Sequence, residues 1–231
     1  MAEVAPDADQ LHRVRAVLPL LSFGTGAADA FAYMTLGGIF TANMTGNAVV
    51  AAMFTRARYT SILSGAVIAI MCFASALFLG FRIARSIASV EPGENATLLS
   101  LALSAAFLAM VVLLWCFTPH TPGALLSMIA ASSAAMAFQT VATKHDGVPR
   151  GALTTFSTGT LSDLLQDIEA GSVPWRSTRW LPLAALPMGA ATAAFLSLSW
   201  PEVIPLLPLC ASLVSIGVIA VRPGRSGITD M

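Results

Sequence analysis

Six apolar stretches of about 20 residues limit what this chain can fold into more than any other feature of its sequence. They cover residues 16–38, 60–81, 97–117, 122–142, 179–200 and 202–221. An α-helix of that length can cross the hydrocarbon core of a bilayer, and it satisfies its own backbone polar groups. The stretches therefore predict an all-α polytopic membrane protein with six transmembrane helices.

Composition supports this prediction and excludes the main alternatives. Hydrophobic residues make up 56% of the chain and charged residues only 10%, with a mean hydropathy of +0.78. A soluble domain carries about 25% charged residues, so a soluble globular protein is excluded, and the apolar content excludes disorder. The net charge is zero, which predicts no nucleic-acid partner. The expected partner is the lipid bilayer, and the composition is compatible with a homo-oligomer.

Two shorter pieces, at about 39–55 and 151–170, lie between the long stretches and decide the topology. If both return to the side from which they start, ten of the twelve Lys and Arg residues lie inside, and only Arg56 and Arg58 lie outside. If both cross, the chain has eight spans and the split becomes eight against four. Basic residues concentrate on the cytoplasmic side of membrane proteins. This rule favours six spans with both termini in the cytoplasm.

An internal repeat accompanies the two short pieces. Residues 38–46 read GIFTANMTG and residues 151–159 read GALTTFSTG. Each string follows a full apolar stretch, the first and the fourth, and precedes two more. Three spans per half is an odd number, so the halves have opposite orientations in the membrane. Inverted repeats of this kind are typical of transporters, whose sites lie near the midplane.

The repeat also predicts how the chain is divided. We expect one membrane domain at 16–221, with repeat one at about 16–117 and repeat two at about 122–221. Polar cytoplasmic tails are expected at 1–15 and 222–231. Each repeat should contain three transmembrane helices and one broken or re-entrant half-helix.

The half-helices suggest a place for a solute. Thr45 and Thr158 are good N-cap residues for short helices over about 46–55 and 159–170. In an inverted arrangement their N-termini meet at mid-depth and offer unpaired N–H groups to an anion, a carboxylate or a polar solute. The alternative is that both pieces are interfacial loops with surface helices. The polar cluster of Asp163, Gln166, Asp167 and Glu169 favours an exposed C-terminal half for the second piece.

Asp29 is the one ionisable residue well inside a predicted span. A carboxylate at bilayer depth costs a few kcal/mol on insertion scales, so it must be protonated, hydrated or hydrogen-bonded. The first half-helix N-terminus is the expected donor, and Gln139 occupies a comparable place in the second half. Asp29 is either a protonation or substrate-coordination site or a structural carboxylate that caps a broken helix. Asn43 and Asn47 are similarly either pore-lining amides or turn-stabilising residues.

Together these residues define the predicted substrate- or proton-binding site. Its members are Asp29, Tyr33, Asn43, Thr45, Gly46, Asn47, Gln139, Thr158, Gly159 and Thr160. We expect no metal and no cofactor, because the three cysteines lie singly in apolar runs and the histidines are scattered through tails and loops. Phosphate-binding loops, nucleophile elbows and metalloprotease motifs are absent from the sequence. We therefore expect the chain not to be an enzyme.

The string GAADAFAYMTLGGIFTANMTGN at residues 26–47 resembles the signature of the YoaK family of bacterial membrane proteins. The segment with Gln139 and STGT at 157–160 is also similar to that family's pattern, and the resemblance extends from about Leu18 to about Val221. It implies a multi-pass protein of the bacterial cytoplasmic (inner) membrane with about six spans. It implies no reaction, substrate or catalytic residue.

Two functions from different classes follow from these features. The first is a small-solute transporter or channel, proton-coupled if Asp29 titrates, with a midplane site formed by two half-helix N-termini. The alternative is a non-transporting membrane protein that acts as a regulatory or partner-binding subunit. The sequence leaves open the substrate, the coupling ion, the choice between channel and carrier, and the oligomeric state.

Overall fold

The computed structural model describes residues 8–89, 95–145, 157–172 and 180–221. These residues contain helices and loops and no strand, which confirms the all-α prediction. The helices are α1 (Ala8–Thr35), α2 (Met44–Ala52), α3 (Tyr59–Ala88), α4 (Asn95–Phe117), α5 (Pro122–His145), α6 (Ser157–Glu169), α7 (Trp180–Leu196) and α8 (Leu206–Ala220), with a 3₁₀ helix at Pro201–Val203.

Five helical segments among the described residues are long and apolar enough to cross a membrane. They are Ala16–Thr35 in α1, all of α3, all of α4, Pro122–Lys144 in α5, and Pro201–Ala220. The multi-pass membrane character of the chain is thus confirmed. Helix α7 is apolar but has only 17 residues, shorter than the stretch 179–200 that predicted it. It ends early because residues 197–200 form turns before Pro201, which lacks an N–H group and begins the 3₁₀ helix.

The long helices alternate in direction, as two clusters at opposite ends of the bundle show. At one end, α1 finishes where α3 and α5 begin, and Leu36, Ile62 and Ile129 line a common cleft there. We call this the cleft end. At the other end, the far end, Ala84 of α3 and Val141 of α5 belong to one buried cluster. Helices α3 and α5 are therefore parallel to each other and antiparallel to α1.

The last two helices complete this alternation. Helix α8 begins at the cleft end, where Leu207 packs on the buried cluster that contains Leu36. It finishes at the far end, where Ile219 belongs to the same buried cluster as Val17. The short link 197–205 joins α7 to α8, so α7 finishes at the cleft end. The segment between α1 and α3 consequently starts and finishes at the cleft end. In the chain, α6 follows the end of α5 and precedes the start of α7, and both of these termini lie at the far end.

Glycines permit a close contact between α1 and α7. A Cβ atom on Gly26 would overlap the carbonyl oxygen of Leu186, and one on Gly189 would overlap that of Phe23. Small residues at helix interfaces allow backbones to approach closely where lipid provides no hydrophobic drive. The most extensive contacts of α1 are with α7 and α8, whereas α5 packs mainly on α3 and α4.

Candidate functional site

Two glycines turn the chain back into the bundle after α1. Gly37 and Gly38 have φ angles of 95° and 80°, in the left-handed region that residues with a Cβ rarely adopt. The N–H group of Gly38 donates to the carbonyl oxygen of Tyr33 at 3.1 Å, which ends the helix in the manner of a glycine C-cap. The following stretch, 39–43, is not helical. It includes Thr41, which is fully buried, so this stretch runs inside the protein.

Asp29 of α1 holds this non-helical stretch in place. Its Oδ1 atom accepts hydrogen bonds from the backbone N–H groups of Thr41 and Ala42, both at 2.7 Å. The hydroxyl of Thr41 lies 3.4 Å from the same oxygen. Hydrogen bonds to an ionised acceptor are roughly twice as strong as neutral ones. The carboxyl group thus satisfies two backbone donors that no helix or sheet satisfies.

The predicted hydrogen-bond donors to Asp29 were wrong by a few residues along the chain. We expected the first turn of the half-helix, at Thr45 to Asn47, and the structure uses the stretch just before it. The reason is that Asn43 caps α2: its Oδ1 atom accepts from the N–H group of Gly46 at 2.8 Å. Thr45 is therefore not the N-cap, and its side chain is exposed.

The amide of Asn47 provides a second anchor for the same stretch. Its Oδ1 atom accepts from the N–H group of Phe40 at 2.8 Å, and its Nδ2 atom donates to the carbonyl oxygen of Phe40 at 2.7 Å. Asn47 is fully buried. The side chain therefore pairs with Phe40 as a neighbouring strand would, and of the two roles we considered for Asn47 this geometry is that of a turn-stabilising residue.

The hydrogen bonds from the N–H groups of Thr41 and Ala42 both end on the Oδ1 atom of Asp29. The backbone N–H group of Asn43 also contributes to the hydrogen bonding of this carboxyl group, and the residue is partly buried. Tyr33, one helical turn further along α1, is 44% exposed and stacks on Phe40 with ring centroids 5.0 Å apart. Asp29 therefore anchors a stretch of chain beside an aromatic ring, that of Tyr33, which remains exposed.

Gln139 lies on the same side of α1 but makes a different bond. Its Nε2 atom donates to the Thr25 hydroxyl at 2.8 Å and lies 3.3 Å from the carbonyl oxygen of Leu21. All three residues are buried. Gln139 thus joins α5 to α1 one turn before Asp29. The structure shows no hydrogen bond between Gln139 and Asp29, the two residues expected at comparable places in the two halves.

The second half of the predicted site does not join the first. Gly159 is exposed, and a Cβ atom there would meet no heavy atom within 4 Å. A Cβ atom on Gly46 would meet Asn43 and Phe40 at about 3.0 Å. The described part of the structure therefore does not pack the two TG turns against each other. Thr158 and Thr160 lie in the first turn of α6, so Thr158 is not its N-cap. Residues 151–156 of the repeat lie outside the described residues.

Two arginines were missed as site residues. Arg56 and Arg58 line the cleft at the cleft end together with Tyr33. In the sequence these arginines contributed only to the count of basic residues that predicts topology. Nothing in the sequence near 56–58 indicates that residues 36–38 fold back beside them. Among the described residues, no three His, Cys, Asp or Glu side chains lie close enough to hold a metal ion.

Comparison with known proteins places the chain in a family. The sequence profile described as "protein of unknown function (DUF1275)" matches residues 17–219. The chain belongs to this family. It is also 32% identical over 160 residues to the UPF0700 transmembrane protein YoaK of Bacillus subtilis (strain 168), a match that spans 66% of this chain and 66% of that relative. The resemblance to the YoaK family is thus confirmed. No solved structure matches the chain significantly.

Proposed function

We propose that this chain is a small-solute transporter or channel built from two inverted three-span halves. The exchange of helix contacts supports the proposal, because α1 packs on α7 and α8 while α5 packs on α3 and α4. Two halves related by an axis in the membrane plane would exchange contacts in this way. In this proposal α7, about 25 Å long at 1.5 Å per residue, is the sixth span. The protein then lies in the bacterial inner membrane with both termini in the cytoplasm.

The bond between Asp29 and the fold-back of the chain is the observation that carries this proposal. Asp29 lies six residues before the end of α1, about 9 Å along the helix, so its partners lie within the span. Non-helical backbone at that depth is tolerated where it is buried in protein or lines a wet cavity. Broken segments with such backbone form the binding sites of many transporters.

The surroundings of Asp29 indicate which of these two settings applies. Asp29 is only partly buried by the bundle. A carboxyl group that faced lipid chains would cost a few kcal/mol, so water, a solute or a second chain must cover the part that the bundle leaves uncovered. Two further polar side chains near it, Asn43 and Thr45, are exposed. We infer a hydrated site on one side of the bundle, formed by Asp29 and the start of α2, in place of a site where two half-helices meet.

Flux through proteoliposomes tests this proposal. Purified protein is reconstituted, and stopped-flow light scattering follows re-swelling under gradients of glycerol, urea or lactate. We expect at least one solute to enter faster than in empty liposomes and Asp29→Asn to slow it. The Asp29→Asn variant keeps an acceptor for Thr41 and Ala42, so the fold should persist while the charge is lost.

A matched variant separates a site effect from a general one. Asp163→Asn changes an exposed carboxylate on α6 and should leave the flux unchanged. Folded wild-type protein that admits none of the three solutes faster than empty liposomes would contradict the proposal for these solutes. Equal flux through wild type and Asp29→Asn would remove Asp29 from the solute path.

A second candidate function rests on α6. This helix is amphipathic, and its Leu161 and Leu165 side chains remain 40% and 43% exposed. Its exposed acidic residues, Asp163 and Glu169, make it a surface to which a basic partner would bind. A partner-binding subunit would show specific crosslinks from position 161 in cells, and its proteoliposomes would pass no solute.

A further inference from the structure

A cleft opens at the cleft end of the bundle, separate from the bonds around Asp29. Its volume is about 1010 Å³, and it lies between the end of α1, the start of α3 and the start of α5. The Gly37–Gly38 turn forms part of its wall. A cleft of this size can enclose a drug-sized molecule.

The charges that line this cleft have one sign. Arg56 and Arg58 line it, and no Asp or Glu is among the described residues that do so. The guanidinium of Arg56 lies over the turn, since a Cβ atom on Gly38 would be 3.8 Å from Nη2. Neither arginine forms an ion pair with a described residue. A guanidinium without a carboxylate partner, held beside a cavity, is suited to a carboxylate or phosphate.

Neighbouring groups in the cleft are also suited to contact an anion. Arg58 precedes the first turn of α3 in a left-handed conformation with φ of 60°, and no side chain caps that turn. The exposed hydroxyls of Thr60 and Ser61 line the same cleft. His120 also lines it, with its ring stacked on Trp115 at 4.2 Å between centroids.

The rest of the cleft wall is apolar. The side chains that form it are Met34, Leu36, Ile62, Leu125, Leu126 and Ile129. Tyr33 also lines the cleft with an aromatic ring and is exposed. A small inorganic anion would leave this wall uncovered, whereas an apolar body attached to an anionic group would cover it.

We propose that this cleft binds an amphipathic anion. Its carboxylate or phosphate contacts Arg56 and Arg58, and its apolar body lies along Tyr33 and the wall formed by α5. This binding does not depend on the proposed transport, since it requires only the cleft. The same chemistry belongs to a free organic acid and to the headgroup of an anionic phospholipid.

Binding to protein in nanodiscs of phosphatidylcholine tests the proposal. The probes are 1-naphthoate and its neutral isostere 1-naphthamide, measured by equilibrium dialysis. A guanidinium–carboxylate pair is a charged hydrogen-bonded contact, so we expect naphthoate to bind about tenfold more tightly than naphthamide. Arg56→Gln with Arg58→Gln should abolish this preference. Arg82→Gln at the far end is the matched control and should retain it.

The variants also guard against a trivial loss of structure. Arg56→Lys with Arg58→Lys keeps the charge and should retain most of the preference, and every variant must show the thermal stability of wild type. Equal binding of naphthoate and naphthamide by wild type would overturn the proposal, as would a preference that survives the double glutamine change. Adding phosphatidylglycerol to the nanodiscs then assigns the source. Weaker naphthoate binding identifies the lipid headgroup as the occupant, and unchanged binding identifies a free organic acid.

Discussion

The two short helices α2 and α6 begin with the same TG pair but occupy different settings. Helix α2 packs on α3, and the residues around it form hydrogen bonds to the stretch that precedes it. Helix α6 makes a few contacts with α7, and most of its described side chains are exposed. The repeated string alone therefore does not decide whether a segment folds into the bundle.

The difference lies in the residues that anchor each segment. The alignment of Gly38 with Gly151 sets Asp29 opposite Ala142, so the second half has no carboxylate at that position. Composition differs too, because α2 reads MTGNAVVAA and α6 reads STGTLSDLLQDIE. The acidic side chains of α6 resist burial. A fold-back within the membrane needs both an apolar helix and partners for its free backbone groups.

Of the changes that distinguish the setting of α2 from that of α6, Asp29→Leu should have the largest effect on stability. The change leaves the N–H groups of Thr41 and Ala42 buried without an acceptor. At about 1 to 3 kcal/mol for each group, the free energy of unfolding should fall by roughly 2 to 6 kcal/mol. SDS titration in mixed micelles measures this change. Asp163→Leu on α6 is the matched control and should shift it by less than about 0.5 kcal/mol. Equal effects would mean that Asp29 anchors nothing.

Asn47→Ala should give the next largest effect. It removes both partners of the Phe40 backbone inside the protein, which should cost roughly 2 to 4 kcal/mol. Gln166→Ala provides the comparison in the second half, since Gln166 is an exposed amide on α6. The same SDS titration measures the free energy of unfolding of both variants. If the two alanine changes prove equally mild, the pairing of Asn47 with Phe40 does not stabilise the fold.

Alanine substitutions at the aligned glycines Gly46 and Gly159 should have the smallest effects on stability. The two effects should have opposite signs. Gly46→Ala pushes the Asn43 side chain out of its capping position and should cost about 1 kcal/mol. Gly159→Ala enters open space within a helix and should stabilise by about 0.5 to 1 kcal/mol. Thermal unfolding in detergent measures the change in stability of both variants. A shift in the same direction for both would indicate equivalent settings.

Much of the fold could be predicted because apolar length is a local property. The long helices and the break after the first stretch follow from runs of side chains, and the same runs single out Asp29 as a carboxyl group within a span. The lengths of the last two helices were harder to predict. Proline and serine at 197–205 divide an apolar region that hydropathy treats as nearly continuous.

The partners within the site could not be predicted in the same way. Whether Asn43 faces a pore or caps its own helix depends on a side-chain rotation that sequence does not encode, and the structure shows the cap. The role of Arg56 and Arg58 in a cleft depends on a fold-back that brings them beside Gly38. The prediction that Gly46 and Gly159 pack against each other was wrong. The two strings are similar in sequence, but the second half has no residue equivalent to Asp29 to hold its segment in the bundle.

Labelling by a membrane-impermeant cationic thiol reagent tests the central claim, that the first half holds a hydrated site at Asp29. Thr45→Cys and Val67→Cys are made in a background with Cys72, Cys116 and Cys210 replaced by alanine. Both side chains are exposed in the isolated bundle, and Val67 lies about 12 Å into α3. We expect Thr45→Cys to react rapidly in intact membranes while Val67→Cys, facing lipid, does not. A Thr45→Cys thiol as unreactive as that of Val67→Cys would mean a dry site and contradict the account.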